Sequence, residues 1–201
     1  MRIGVIAGHD EIGGALARWW KQAGHHVVTG TIDPADVGAD LRPVSVRQAA
    51  YFGDAILFAP DWDLAHDALD QARPALKGKP VLDATNPAWP VEGSGLAQLA
   101  DWSPEAHWVK AFNTLPVGVL DARRGHDPLL TEFLCTDWPD ARRTASKLVR
   151  DLGLAPMYAG GADHAWITET GPLQACEVDI KDATAVLAEA LHSADGPLKA
   201  I

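Results

Sequence analysis

The stretch Gly8-His9-Asp10-Glu11-Ile12-Gly13-Gly14 carries the first spacing that points to chemistry. Gly8 and Gly13 stand apart like the outer glycines of G-x-G-x-x-G. In that loop, backbone N–H groups at a helix N-terminus cradle a pyrophosphate. Asp10 takes the place of the middle glycine, whose missing side chain lets the backbone approach the phosphates. Two unit charges ~4 Å apart repel by about 4 kcal/mol at an effective dielectric of roughly 20. Uncompensated, that is roughly a thousandfold in affinity. Glu11 adds a second negative charge, and His9 offsets little of it near neutral pH. The competing reading is that Asp10 caps a helix starting near Glu11 and supplies its own anion to the free N–H groups.

The elements around the loop suit it. Residues 1–8 are a short apolar run rich in Ile and Val and read as a buried strand. Residues 10–24 have helical periodicity, with Ile12, Leu16 and Trp19 or Trp20 on one face, Lys21 in the last turn and Gly24 as a stop. Residues 25–31 form a second strand, which completes a β-α-β unit with the loop at its first turn. Strands are then expected at 54–60, 79–87, 107–114, 129–137 and 155–160. Helices are expected at 61–78 (broken or ended near Pro74), 96–104, 116–124 and 139–153, with a long C-terminal helix over about 172–193. The connection at 33–53 is expected to hold a short strand or helix. This alternation predicts an α/β fold: a Rossmann-like, doubly wound, mostly parallel sheet with helices on both faces and a C-terminal helix. Right-handed crossovers would gather the loops GHDEIG, GTIDP, APDW, ATNP and AFNT along one edge.

Composition bounds the function. The 201 residues, 47% hydrophobic, suffice for one core, so residues 1–201 are expected to be a single domain, with 155–201 a C-terminal strand and helix extension. A net charge of -10 argues against nucleic acid as a partner by simple repulsion, and no apolar run approaches a membrane span. The start of the chain reads as a strand rather than a leader, so a cytoplasmic protein acting on a small molecule is expected. Cys135 and Cys176 lie in no metal spacing and are expected as reduced thiols, and the eight histidines form no metal pattern. There is neither a G-x-S-x-G elbow nor a phosphate-loop lysine motif.

Five segments carry a family resemblance: IGGALA after the first loop, LDATNP at 82–87, GSGLAQLA at 93–100, VKAFNTLP at 109–116 and LVRDLGLAP at 148–156. With them the chain resembles, over nearly its whole length, the small NADP oxidoreductases related to the reductase of the deazaflavin coenzyme. The same nucleotide-binding domain occurs in STEAP-type metalloreductases. The resemblance implies NADP or NAD across the strand ends and direct hydride transfer between nicotinamide and a stacked acceptor, with the cofactor supplying the chemistry. It implies cofactor contacts at Gly8, His9, Asp10, Glu11, Ile12, Gly13, Thr31, Ile32, Asp33, Ala59, Pro60, Ala84, Asn86, Pro87, Ala111 and Asn113. Ala84 to Pro87 and Ala111 to Thr114 would line the nicotinamide end, with Asn86 and Asn113 offering amides; each asparagine alone reads rather as a turn residue bonding local backbone, and the two together, on adjacent strand ends, as pocket residues. It also implies a homodimer through the C-terminal helix, against the alternative that this helix closes its own sheet.

The chain departs from the family at the cofactor contacts. Besides Asp10, Thr31 and Ile32 stand where a small polar residue and an arginine would grip a 2′-phosphate. Asp33 could instead accept from a free ribose 2′-hydroxyl, which points to NAD, or could simply begin a turn with Pro34. In FAPDW, Pro60 comes one position early and Asp61 follows it, with Trp62 retained. Two readings therefore compete: an NAD(P)-dependent oxidoreductase, and a repurposed Rossmann protein without dinucleotide, either a scaffold or a cofactor-independent enzyme. In the second, His9, Asp10 and Asp61 are the candidate acid–base groups, and Asn113 is a candidate in either.

Overall fold

The computed structural model describes residues 1–7, 11–31, 43–88, 91 and 93–194, without the side chains of Glu11 and Ala194. The expectations placed on Gly8, His9, Asp10, Ile32, Asp33 and the Glu11 carboxylate lie outside the described residues.

Chain order is β1 (Arg2–Ala7), α1 (Glu11–Gln22), β2 (His26–Gly30), β3 (Pro43–Val44), α2 (Val46–Phe52), β4 (Ala55–Ala59), α3 (Ala65–Ala72), β5 (Pro80–Asp83), α4 (Gly95–Trp102) and β6 (His107–Lys110). There follow α5 (Val117–Arg123), β7 (Thr131–Cys135), α6 (Pro139–Arg150), β8 (Ala155–Gly160), α7 (Trp166–Glu169) and α8 (Ala183–Ala194). The strands form one sheet in the order β3-β2-β1-β4-β5-β6-β7-β8. All pairs are parallel except β6 with β7. The chain crosses from one side of β1 to the other between β3 and β4, which is the switch point of a doubly wound sheet.

Each strand feeds both core layers by alternation. In β4, Ala55, Leu57 and Ala59 pack with Leu16 of α1 and Leu148 of α6 on one face. Ile56 and Phe58 pack with Ala49 of α2, Leu69 of α3 and Leu96 of α4 on the other. Burial on both faces is why the strands read as near-continuous apolar runs. The Trp20 indole donates to the Leu148 carbonyl at 3.0 Å and ties α1 to α6. The connection at 33–53 yields both a strand, β3, and a helix, α2, whose Ser45–Gln48 capping box satisfies its first turn. No described helix is long and apolar enough to cross a membrane.

One expectation is corrected. The long helix over 172–193 is only its second half, α8. Gly171 to Asp182 is an irregular segment in which Leu173 and Val178 are buried, and Asp179 bridges Leu130 beside β7. Its apolar residues follow a tertiary surface rather than a helical period, and Ala175 takes a positive φ of 56°, which a helix does not allow. In α8, Ala183 and Ala190 are buried, and Val186, Leu187 and Leu191 pack partly against the second core layer.

Candidate functional site at the strand ends

A cleft of about 490 Å³ opens beyond the C-terminal ends of β5 and β6. Its wall includes Ile12 from the first turn of α1, Ala84 and Asn86 after β5, and Phe112, Asn113 and Thr114 after β6. Of the sequence-predicted residues, Ile12, Ala84, Asn86 and Asn113 line it. Thr31, Ala59, Pro60 and Ala111 are buried at the neighbouring strand ends but do not line it, and neither does Pro87. Trp62 turns inward and stacks on Trp102, with ring centroids 6.2 Å apart, as core. Asp61, at the end of β4, makes no side-chain cap for the turn that follows.

Gly13 fits the fingerprint reading. A Cβ there would lie 2.5 Å from the Ala7 Cβ, so α1 approaches β1 this closely only because the third glycine lacks a side chain.

The two asparagines meet. Asn113 Nδ2 donates to Asn86 Oδ1 at 2.9 Å, and Asn86 Nδ2 donates to the Asn113 carbonyl at 2.7 Å. Asn113 Nδ2 also donates to the Thr168 carbonyl at 3.0 Å, before the end of α7. Both acceptors face Nδ2, which fixes the amide orientation. Asn113 Oδ1 is then buried with no described partner. An orphaned buried acceptor costs on the order of 1–3 kcal/mol and marks a place where a donor is expected.

No sequence pattern signals what stands beneath these loops. Lys110, fully buried at the end of β6, pairs with Asp83 at 2.8 Å and with Glu169 at 2.9 Å, and donates to the Thr85 carbonyl. Glu169 accepts from the backbone N–H groups of Gly95 and Leu96 at 2.8 and 3.1 Å, capping α4. Asp83 Oδ1 accepts from the Thr85 hydroxyl at 2.7 Å. Burial opposes the Lys110 charge, but Asp83 and Glu169 outweigh it and hold its pKa above the ordinary lysine value. Burial pushes the Asp83 carboxyl up, against the pull of Lys110. One ammonium thus fixes both strand-end loops.

A third buried acid holds the cleft wall. Glu132 Oε1 on β7 accepts from the Phe112 N–H at 2.6 Å, while Oε2 has no described partner. Phe112 has φ 64°, a left-handed conformation that costs a non-glycine residue about 1–3 kcal/mol. The hydrogen bond and an edge contact with Trp20, centroids 5.8 Å apart, offset it. Burial pushes the Glu132 carboxyl up to about 8, so it is protonated near neutral pH.

The remaining wall comes from Leu115 to Val117 and from Gln174 and Ala175. Ala175 N–H donates to the Thr114 carbonyl at 2.9 Å, so the irregular segment closes over the cleft. No periodicity signals this, because the segment follows its neighbours rather than a repeat.

Residues 2–87 match the family described as NADP oxidoreductase, coenzyme F420-dependent. Over that segment the chain is similar to the NADP oxidoreductase Rossmann family. A hypothetical protein of Sinorhizobium meliloti is 29% identical and superposes with a TM-score of 0.76, covering 89% of this chain and 96% of that one. A protein of Arthrobacter sp. described as a putative F420-dependent NADP-reductase has a TM-score of 0.74 at 22% identity, covering 85% of this chain and 89% of its own; at that identity it supports the fold alone. The metalloreductase STEAP3 of Rattus norvegicus is 26% identical over 182 residues, which are 86% of this chain. The chain spans only 36% of the length of that relative.

Proposed function

We propose that this protein is a nicotinamide-dinucleotide-dependent oxidoreductase whose hydride passes directly between the nicotinamide and a planar acceptor, with a deazaflavin as the first acceptor to test. The observation that carries the reading is Asn113 Oδ1, a buried acceptor without a described partner in the wall of the strand-end cleft. A carboxamide N–H is the donor that such an acceptor lacks. The residues present suit the group: Ile12, Leu115 and Val117 offer apolar wall, and Asn113 offers polar orientation.

The bound dinucleotide would supply the hydride chemistry itself. This chain's residues would bind, orient and exclude water. The Asn86–Asn113 pair holds the loops after β5 and β6 in register. Lys110 anchors the same loops from below, and Gln174 and Ala175 cover the opening. Holding two rings face to face in a dry cleft is the main protein contribution to such a transfer.

Asp61 favours a second reading, a Rossmann protein that binds no dinucleotide. Its carboxylate makes no hydrogen bond with the described residues and stands at the end of β4, beside the switch point. With Asp10 it would oppose phosphate charge.

The test is an anaerobic assay with NADPH or NADH deuterated at the nicotinamide C4 and a deazaflavin as acceptor. Deuterium retained at the acceptor carbon supports direct transfer. No oxidation with either dinucleotide, for deazaflavin and flavin acceptors alike, overturns it.

A further inference from the structure

A second cleft, of about 310 Å³, lies on the opposite edge of the sheet from the first. Because β7 runs antiparallel to β6, the chain leaves β7 beside the start of β6, where the Thr136 hydroxyl donates to the Trp108 carbonyl at 2.6 Å. Trp138, Arg142 and Arg143 at the start of α6 line this cleft, together with Tyr158 of the edge strand β8.

Three features set it apart from ordinary surface. Trp138 and Tyr158, each 39% exposed, are two of only four large hydrophobic side chains exposed among the described residues, and both line this one cleft. Their rings are held in place. Trp138 stacks on His107 at 3.9 Å with planes 7° apart, and His107 is itself fixed by Asp140 at 2.6 Å. Tyr158 lies under the Arg142 guanidinium, 4.0 Å from its carbon to the ring centroid, and its hydroxyl donates to the Thr136 carbonyl at 3.3 Å. Finally, neither Arg142 nor Arg143 makes an ion pair with any described residue, in a chain with an excess of ten acidic side chains. The nearest acids are otherwise engaged. Asp140 is held by His107, and Asp137, which also lines the cleft, accepts from the Ala162 N–H at 3.3 Å.

We propose that this cleft is a binding site for a small planar aromatic anion, its ring against Trp138 and Tyr158 and its acid group on Arg142 and Arg143. Two guanidiniums with free donors recognise a carboxylate or phosphate oxygen pair, and flat rings that are already ordered take a flat ring at small entropic cost. The volume suits a one- or two-ring acid. The Asp137 carboxylate on the rim disfavours ligands carrying several charges. The site shares no lining residue with the strand-end cleft, so it does not depend on the function proposed there.

Calorimetric titration of the full chain with 1-naphthoate tests this, with naphthalene-2-methanol and inorganic phosphate as the neutral and the ring-free probes. Naphthoate is expected to bind at one site at submillimolar concentration, and each other probe at least tenfold more weakly. Arg142→Gln and Arg143→Gln should each weaken naphthoate at least fivefold, and Trp138→Leu likewise, with melting temperature unchanged. Asn113→Ala should leave it unaltered. Equal binding of the neutral probe, indifference to both arginine variants, or no heat at 10 mM (roughly the weakest affinity of interest) overturns the proposal. So does sedimentation showing a dimer that Arg142→Gln dissolves, since the cleft would then be a contact between copies.

Discussion

Asn86 and Asn113 grip each other across the ends of β5 and β6, side-chain amide to side-chain oxygen at 2.9 Å and side-chain amide to backbone carbonyl at 2.7 Å. The pair is asymmetric. Asn113 also holds the Thr168 carbonyl and keeps an unspent oxygen, whereas Asn86 has no further side-chain partner among the described residues. Asn113→Ala should therefore cost about 1–3 kcal/mol of stability and at least tenfold in dinucleotide affinity. Asn86→Ala should cost less on both counts, because Asn113 keeps its Thr168 bond. Urea melts and nucleotide titrations of the two variants check the order, and an equal or reversed order contradicts it.

Lys110→Met removes the one cation shared by two buried carboxylates. Asp83 and Glu169 would then sit uncompensated, a loss of about 3–5 kcal/mol. Adding Asp83→Asn and Glu169→Gln should recover a large part of it, since the cost lies in the orphaned charges and not in the lysine contact. Chemical denaturation of the single and triple variants measures both. A single variant as stable as the parent sinks this account of the anchor.

Glu132 sets a pH dependence whose sign follows from burial. Its carboxyl ionises near 4.5 when unfolded and only near about 8 when folded. Below the lower value both states are protonated and nothing is lost. Between the two the unfolded state binds fewer protons, so stability falls as pH rises, by at most about 1.4 kcal/mol per unit, and levels above about 8. Glu132→Gln keeps an acceptor for the Phe112 N–H and cannot ionise. It should flatten this part of the profile and gain on the parent as pH rises from 5 to about 8. Parallel profiles for the two proteins contradict the burial argument.

Cys135 is buried, with its thiol pushed up to about 12 by burial, while Cys176 is partly exposed. Native protein should release one equivalent slowly to an aromatic disulfide reagent, from Cys176, and two equivalents in denaturant. Zero equivalents when denatured would reveal a disulfide instead.

The fold was legible in the sequence because its signals are local. Apolar runs such as Ile3 to Ala7 and Ala55 to Ala59 are buried on both faces, and alternation with helices leaves few topologies. The cleft was half legible. Asn86 and Asn113 follow strands, so their place on the edge was readable from order alone. Gln174 and Ala175 were not, since apolar residues from Leu173 to Leu191 imitate a helix until tertiary contacts at Asp179 break it. The Lys110 triad and Glu132 were invisible for another reason. Charged residues inside predicted strands read as noise until the neighbours that neutralise them, 27 and 59 positions away for Asp83 and Glu169, are brought together in space. Those separations follow from the residue numbers and no short motif spans them.

We propose that the strand-end cleft takes a nicotinamide dinucleotide although the sequence carries Asp10 and Asp61. Fluorescence titration of the purified chain with NADPH and with NADH tests it most directly, with Asn113→Ala alongside. Saturable enhancement by at least one dinucleotide below millimolar concentration, lost in Asn113→Ala, is the predicted result. No binding of either at several millimolar, together with binding created by Asp10→Gly, would contradict it and leave a Rossmann fold whose own carboxylate has displaced the cofactor's phosphate.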